Sequence, residues 1–164
     1  MAYEIRTFGD PVLKSRATPV KDFDGSLERL AQDMLRIMRE NEGVGLAANQ
    51  IGRLNRIFVA AYEDQEFVVI NPVVEWSSES TEKDEEGCLS LPGTRVEIER
   101  PYAVTVSGKD TSGTTVRLEA EGLLARIFQH EIDHLNGVLI LDRTDLESRK
   151  RAMREIRERL MARQ

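Results

Sequence analysis

His130 and His134 are the only histidines among 164 residues, and Glu131 stands between them. On a helix, that spacing projects both imidazoles from one face about one turn apart, so both reach a single metal ion. Glu131 then sits beside the ion, placed to handle a proton on metal-bound water. A catalytic site with three protein ligands needs one more donor. The chain has a single cysteine, Cys88, within Glu86-Gly87-Cys88-Leu89-Ser90-Leu91-Pro92-Gly93, whose glycines and proline suit a loop with exposed backbone. Two neutral imidazoles and one thiolate leave a fourth position for water. The thiolate makes the ion a weaker Lewis acid than an all-nitrogen set would. Such an ion still lowers the pKa of bound water and polarises a carbonyl. The bland alternative, a pair of core histidines bonded to backbone carbonyls, would bury Glu131 with no evident cationic partner.

The elements that must position these residues are legible in outline. Leu123, Leu124, Ile127 and Phe128 form an apolar stripe continuing into His130, Glu131 and His134, so the chemistry occupies a core-facing side of a helix running from about Glu121 to Leu135. Asn136-Gly137 is its stop signal. Upstream, Leu27, Leu30, Ala31, Met34, Leu35 and Met38 follow helical spacing, with Asp24 or Ser26 as the cap and an end before Gly43. Strand-like runs occur at Arg56 to Ala60, Glu66 to Ile70, Arg95 to Glu99, Tyr102 to Val106 and Thr114 to Leu118. The last two pair through the turn-rich 109–113 segment. Val138 to Leu141 reads as a short apolar strand before a terminal helix. The expectation is an α+β domain: antiparallel or mixed sheets packed around a central helix that carries the histidines, with a C-terminal helix.

Composition bounds the partners. A chain of this length is expected to be one domain, residues 1–164, with core enough to fold alone. One cysteine forms no internal disulfide, which fits a reducing compartment or a metal site. No apolar run approaches membrane-spanning or signal-peptide length, so the expectation is a cytoplasmic protein with no membrane partner. The net charge of −6 is uneven. Residues 145–164 carry seven basic and four acidic groups, +3, which leaves −9 on the other 144 residues. Any polyanion contact must involve that basic amphipathic tail, whose apolar side is read as Leu146, Met153, Ile156 and Leu160.

Three segments in order carry a family resemblance: Gly43-Val44-Gly45-Leu46-Ala47-Ala48-Asn49-Gln50, then Glu86-Gly87-Cys88-Leu89-Ser90, then Gln129-His130-Glu131-Ile132-Asp133-His134-Leu135-Asn136-Gly137. The chain resembles the peptide deformylases, which carry GxGLAAxQ, EGCLS and QHExDHLxG in that order. The resemblance implies a metal-dependent hydrolase that removes the N-formyl group from the initiator methionine of new polypeptides and releases formate. It implies Cys88, His130 and His134 as ligands, Glu131 as acid/base, and the Gln50 side chain with the Leu89 backbone N–H as oxyanion donors. It implies pairing of an extended substrate with Val44, Gly45 and Gly87, where missing side chains permit close approach. Val44, Leu89, Leu123 and Ile127 are the candidates for an apolar methionine pocket, and all four are equally well explained as core. The family favours Fe²⁺, one per chain, with Zn²⁺ or another divalent metal able to substitute, and contact of a monomer with the ribosome near the exit tunnel through the C-terminal helix. Removal of the tail before Arg149 is then expected to weaken ribosome co-sedimentation and leave hydrolysis of short formyl peptides mostly intact.

Other residues keep two readings. Arg126, one turn before His130, either turns outward or lays its stem along the pocket. Arg95 contacts the peptide beyond methionine or is a surface strand arginine. Glu86 and Asp133 orient ligands or are solvated. Three rivals set the tests. A generic zinc peptidase taking Glu155 as third ligand leaves Cys88 idle. An inactive relative that binds nascent peptides or ribosomes would not need Glu131 and Gln50 intact. A structural zinc protein wants a closed four-ligand set, which here would require a carboxylate.

Overall fold

Asp24 starts the first helix, α1 (Gly25–Glu40), by accepting from the backbone N–H groups of Ser26 and Leu27. The structure, a computed structural model, describes residues 3–162. The buried side of α1 is the expected stripe with Ile37 added. It ends before Gly43, as expected, and Glu42 takes the left-handed conformation at φ 55°. The N–H groups of Glu42 and Gly43 close onto the carbonyls of Arg39 and Met38, which satisfies the last turn.

Five antiparallel strands form one sheet in the order β1-β2-β3-β6-β7: β1 Gly45–Ala47, β2 Ile57–Tyr62, β3 Gln65–Ser77, β6 Ala103–Lys109 and β7 Thr115–Glu121. Strands β4 (Thr81–Cys88) and β5 (Leu91–Pro101) form a separate antiparallel hairpin. Two strands escaped the sequence reading. β1 is three residues long, and β4 is polar on both faces, so neither carries the alternation that announces a strand. Cys88 therefore closes a strand instead of lying in a loop.

The sheet is buried on both sides at β2. Phe58 and Ala60 face helix α2 (Gly122–Leu135), while Ile57 and Val59 face α1. Phe128 of α2 anchors the first side, with ring centroids 5.7 Å from Phe58 and 5.3 Å from Phe67. Almost every residue from Ala125 to Leu135 is buried, so the helix carrying the histidines is held by core packing along its length. It ends where expected. Gly137 takes φ 74°, the Val138 N–H reaches the Asp133 carbonyl, and a Cβ on Gly137 would overlap the Lys14 backbone.

The apolar segment at 138–141 is corrected. Ile140–Arg143 is a single helical turn, α3, and the Asp142 carboxylate accepts the Leu139 N–H at 2.8 Å. Four apolar residues suit a buried turn as well as a buried strand, and the capping aspartate decides between them. The terminal helix α4 (Leu146–Ala162) packs on β5 through Ala152, Met153 and Ile156. Leu146 and Leu160, expected in the same seam, are 64% and 56% exposed. Arg163, counted in the basic tail, lies outside the described residues. No helix among the described residues is long and apolar enough to cross a membrane.

Candidate metal centre

The last two turns of α2 and the end of β4 bring three donors to one point. Cys88 Sγ lies 3.3 Å from His134 Nε2, and the two histidine Nε2 atoms are 3.2 Å apart. All three ligand atoms lie within 4.8 Å of one another. Ligands bonded to one ion at about 2.0–2.3 Å in a tetrahedron sit roughly 3.3–3.8 Å apart, so the donor set fits a metal ion.

One of the imidazoles has its orientation set from outside. Glu86 Oε1 lies 2.8 Å from His130 Nδ1. A carboxylate there makes Nδ1 the protonated nitrogen, which leaves the Nε2 lone pair aimed at the donor cluster. Glu86 is in turn gripped by Arg100 (2.6 and 3.0 Å) and by Arg126 (2.7 Å). Arg100 continues to Asp133 at 2.9 Å, and Arg143 closes on Asp133 with two bonds of 2.9 and 3.0 Å. Burial opposes ionisation of Glu86, but hydrogen bonds from His130 and Arg100 and their charges overcome it, holding its carboxyl far below the usual range. Burial likewise pushes the Cys88 thiol up, yet the two imidazoles pull it well below its usual value.

Glu131 is 4% exposed, with Oε2 4.0 Å from His130 Nε2. Its Oε1 has no hydrogen-bond partner among the described residues. Burial, opposed by the histidines and reinforced by Cys88 and Glu86, raises its pKa above the ordinary carboxylate value. Gly45 lies against this carboxylate so closely that a Cβ there would overlap it. Gln50 sits in a short 3₁₀ turn, Ala48–Ile51, directly after β1. Its Oε1 accepts the Ala47 N–H at 2.9 Å, which turns its NH₂ toward Ser90 Oγ (3.2 Å) and Cys88 Sγ (3.5 Å).

A cleft of about 700 Å³ opens beside these groups, lined on one side by Asn41 to Gly45 and on the other by Gly87 to Leu89 and Leu91 to Arg95. Val44, Gly45, Gly87 and Leu89 are thus brought together. Val44, 56% exposed, is not core. Leu123 and Ile127 are not among the residues lining this cleft: Leu123 is 55% exposed near the start of α2, and Ile127 is buried against the sheet. Arg95 lines the cleft with its side chain exposed and pairs with Glu85 at 3.7 Å.

Of the two readings of Arg126, the outward one is overturned. Its guanidinium is buried and bonds Glu86, the Ile98 carbonyl (3.0 Å) and the Glu82 carbonyl (2.7 Å). Arg100 was not singled out in the sequence, and Ser90 was quoted within its motif without a role. A signal for Arg100 existed: it follows Val96 and Ile98 at period two, so it shares their buried face of β5. A buried arginine demands a carboxylate, and Glu86 across the hairpin supplies it.

The comparisons with known proteins converge. The family model for polypeptide deformylase matches residues 2–150. Peptide deformylase 1 of Corynebacterium glutamicum is 52% identical over 158 residues, covering 94% of each chain. The peptide deformylase of Thermotoga neapolitana is 48% identical over 159 residues, 97% of this chain and 94% of its own. The crystal structure of the peptide deformylase from Thermus thermophilus superposes with a TM-score of 0.91 at 45% identity, covering 98% of this chain and 96% of that one. With the matched segment holding the three convergent donors, the buried glutamate and the cleft, the chain belongs to the polypeptide deformylase family.

Proposed function

We propose that Cys88, His130 and His134 hold a divalent metal ion and that Glu131, Gln50 and the Leu89 backbone N–H act on the substrate, in a chain that removes the N-formyl group from nascent peptides. The observation that carries this assignment is the convergence of one thiol and two imidazoles beside a buried carboxylate, one oxygen of which has no partner among the described residues. A divalent ion held by these three residues would supply Lewis acidity to the formyl carbonyl and to the attacking water. Glu131 takes the proton from the attacking water and delivers it to the leaving amine, a role its burial and raised pKa favour. Gln50, with its NH₂ turned into the site, and Leu89 N–H donate to the oxyanion that forms when water adds to the carbonyl. The carbon–nitrogen bond then breaks, releasing formate and a free amino terminus. Val44, Gly45 and Gly87 offer backbone to an extended peptide in the cleft. For the methionine side chain we retain Leu123 and Ile127 on α2 with Val44 and Leu89.

Thiolate with imidazole suits either Fe²⁺ or Zn²⁺, and we take Fe²⁺ as the working ion. Protein purified without oxygen is expected to contain about one iron per chain and to release formate from formyl-Met peptides, with little action on acetyl-Met peptides. A formyl carbon bears only hydrogen, so a site shaped to it excludes the extra methyl of an acetyl group. The iron form should lose activity in air and the zinc form persist at a lower rate, because iron and its thiolate are both open to oxidation. Equal rates and equal air stability for both forms would count against iron.

We further propose a monomeric, single-domain, cytoplasmic enzyme that meets the ribosome through α4. Arg149, Lys150, Arg151, Arg154 and Arg157 are all exposed on that helix. Co-sedimentation with ribosomes is expected to fall steeply with salt. Replacing Arg154 and Arg157 by Ala should flatten the log–log salt slope by about 1.5, since each phosphate no longer neutralised takes away on the order of 0.7–0.9. A slope unchanged by the double substitution would remove α4 from the interface.

A further inference from the structure

We infer that Arg159, on the terminal helix, is a positioning residue for the cleft wall against which the peptide beyond methionine lies. The inference rests on the reading of the cleft as the site of the formyl peptide. The β4–β5 pairing jumps from Gly87 opposite Arg95 to Cys88 opposite Leu91, leaving Pro92, Gly93 and Thr94 as a bulge on the cleft side. Bulged residues lose their ladder partners, so their polar groups need donors from elsewhere. Arg159 supplies them. Its Nη1 donates to the Pro92 carbonyl at 3.0 Å and to Thr94 Oγ1 at 2.7 Å, and its Nη2 donates to the Gly93 carbonyl at 2.8 Å.

The geometry is built for this arginine. Gly93 takes φ +76°, a conformation side chains rarely adopt, and a Cβ there would lie 3.3 Å from the guanidinium carbon. The planar fork of Arg serves two carbonyls and a hydroxyl at once, which a single ammonium does less well. Glu155, one turn earlier, steadies Nη2 at 3.8 Å. Ala152, Met153 and Ile156 seat the helix on the cluster that holds Leu91 and borders Cys88. Arg159 and the helix residues that seat it lie beyond residue 150, where the family match ends. Arg159 touches no reacting group and acts only through the bulge. The expectation that tail removal spares short peptides therefore holds only for substrates too short to reach Pro92 and Gly93.

The test compares formyl-Met dipeptide and formyl-Met tetrapeptide on the metal-loaded full chain, as wild type, Arg159→Ala and Arg159→Lys. Arg159→Ala is expected to raise KM for the tetrapeptide about fivefold, as loss of charge-assisted bonds holding a binding surface would. Its kcat should stay within about twofold, and the dipeptide constants should not move beyond that margin. Arg159→Lys should recover part of the loss. Amide hydrogen exchange at residues 93–95 should quicken in Arg159→Ala. Unchanged tetrapeptide KM, an equal loss on both peptides, or unchanged exchange at the bulge would overturn the inference. Failure of wild type to deformylate the dipeptide would instead overturn the reading of the site.

Discussion

Replacing Glu131 by Gln is expected to abolish nearly all formate release while the protein keeps its metal. The amide has the shape of the carboxylate but cannot accept the proton of the attacking water, so the loss should fall at roughly 100- to 10,000-fold, the range for a positioned general base. Metal retention follows from geometry: the three donors that converge are Cys88, His130 and His134, and Glu131 stands to one side. Nor should the fold suffer. Burial pushes the Glu131 pKa up, so the ionised group costs the folded state, and among the described residues its Oε1 makes no bond that Gln would break. Cys88→Ser provides the contrast, because a hydroxyl is a poor ligand at neutral pH and there metal content and turnover should fall together. Metal analysis alongside formate release separates the two. Turnover in Glu131→Gln within about tenfold of wild type would sink the assigned role.

The sequence already carried most of the centre, for a physical reason. Metal ligands are constrained in type and spacing: His130 and His134 fall on one helical face, and the motif around Cys88 favoured it over a carboxylate such as Glu155 as the third candidate donor. Helix α1 was legible because it buries a stripe with helical period, and α2, buried almost all round from Ala125 to Leu135, because its apolar run ends at Asn136-Gly137. Strands β1 and β4 were not, since one is too short and the other polar on both faces, and their pairing comes from tertiary context. What lay furthest from view was the support around the ligands. Arg126 read as a surface or pocket residue because its partners, Glu86 and two backbone carbonyls, belong to a hairpin distant in sequence. Arg159 was one more charge in a basic tail, although the bulge turns it inward to Pro92 and Gly93 while its neighbours face solvent.

Glu86→Ala is expected to cost both stability and metal affinity, and more of each than Asp133→Asn. Glu86 is 6% exposed and is shared by His130, Arg100 and Arg126, of which both arginines are themselves buried. Its removal leaves Arg126 with carbonyl partners alone and Arg100 with Asp133 alone. Breaking a buried pair on one side costs about 3–5 kcal/mol, because the remaining charge stays desolvated without compensation. Asp133 offers a milder case: Arg143, one of its two partners, has a side chain 50% exposed and returns to water when released. The Glu86 carboxylate also sets the His130 tautomer, so its loss frees the ring and lowers metal affinity by roughly 10- to 100-fold, as deletion of a ligand's hydrogen-bond partner does elsewhere. Urea unfolding of the metal-free protein isolates the charge effect from the metal effect, and competition with a chelator measures the second. A Glu86→Ala variant that unfolds within about 1 kcal/mol of wild type would mean the arginines find other partners. Unchanged chelator competition would mean that packing along α2, not Glu86, holds His130 in place.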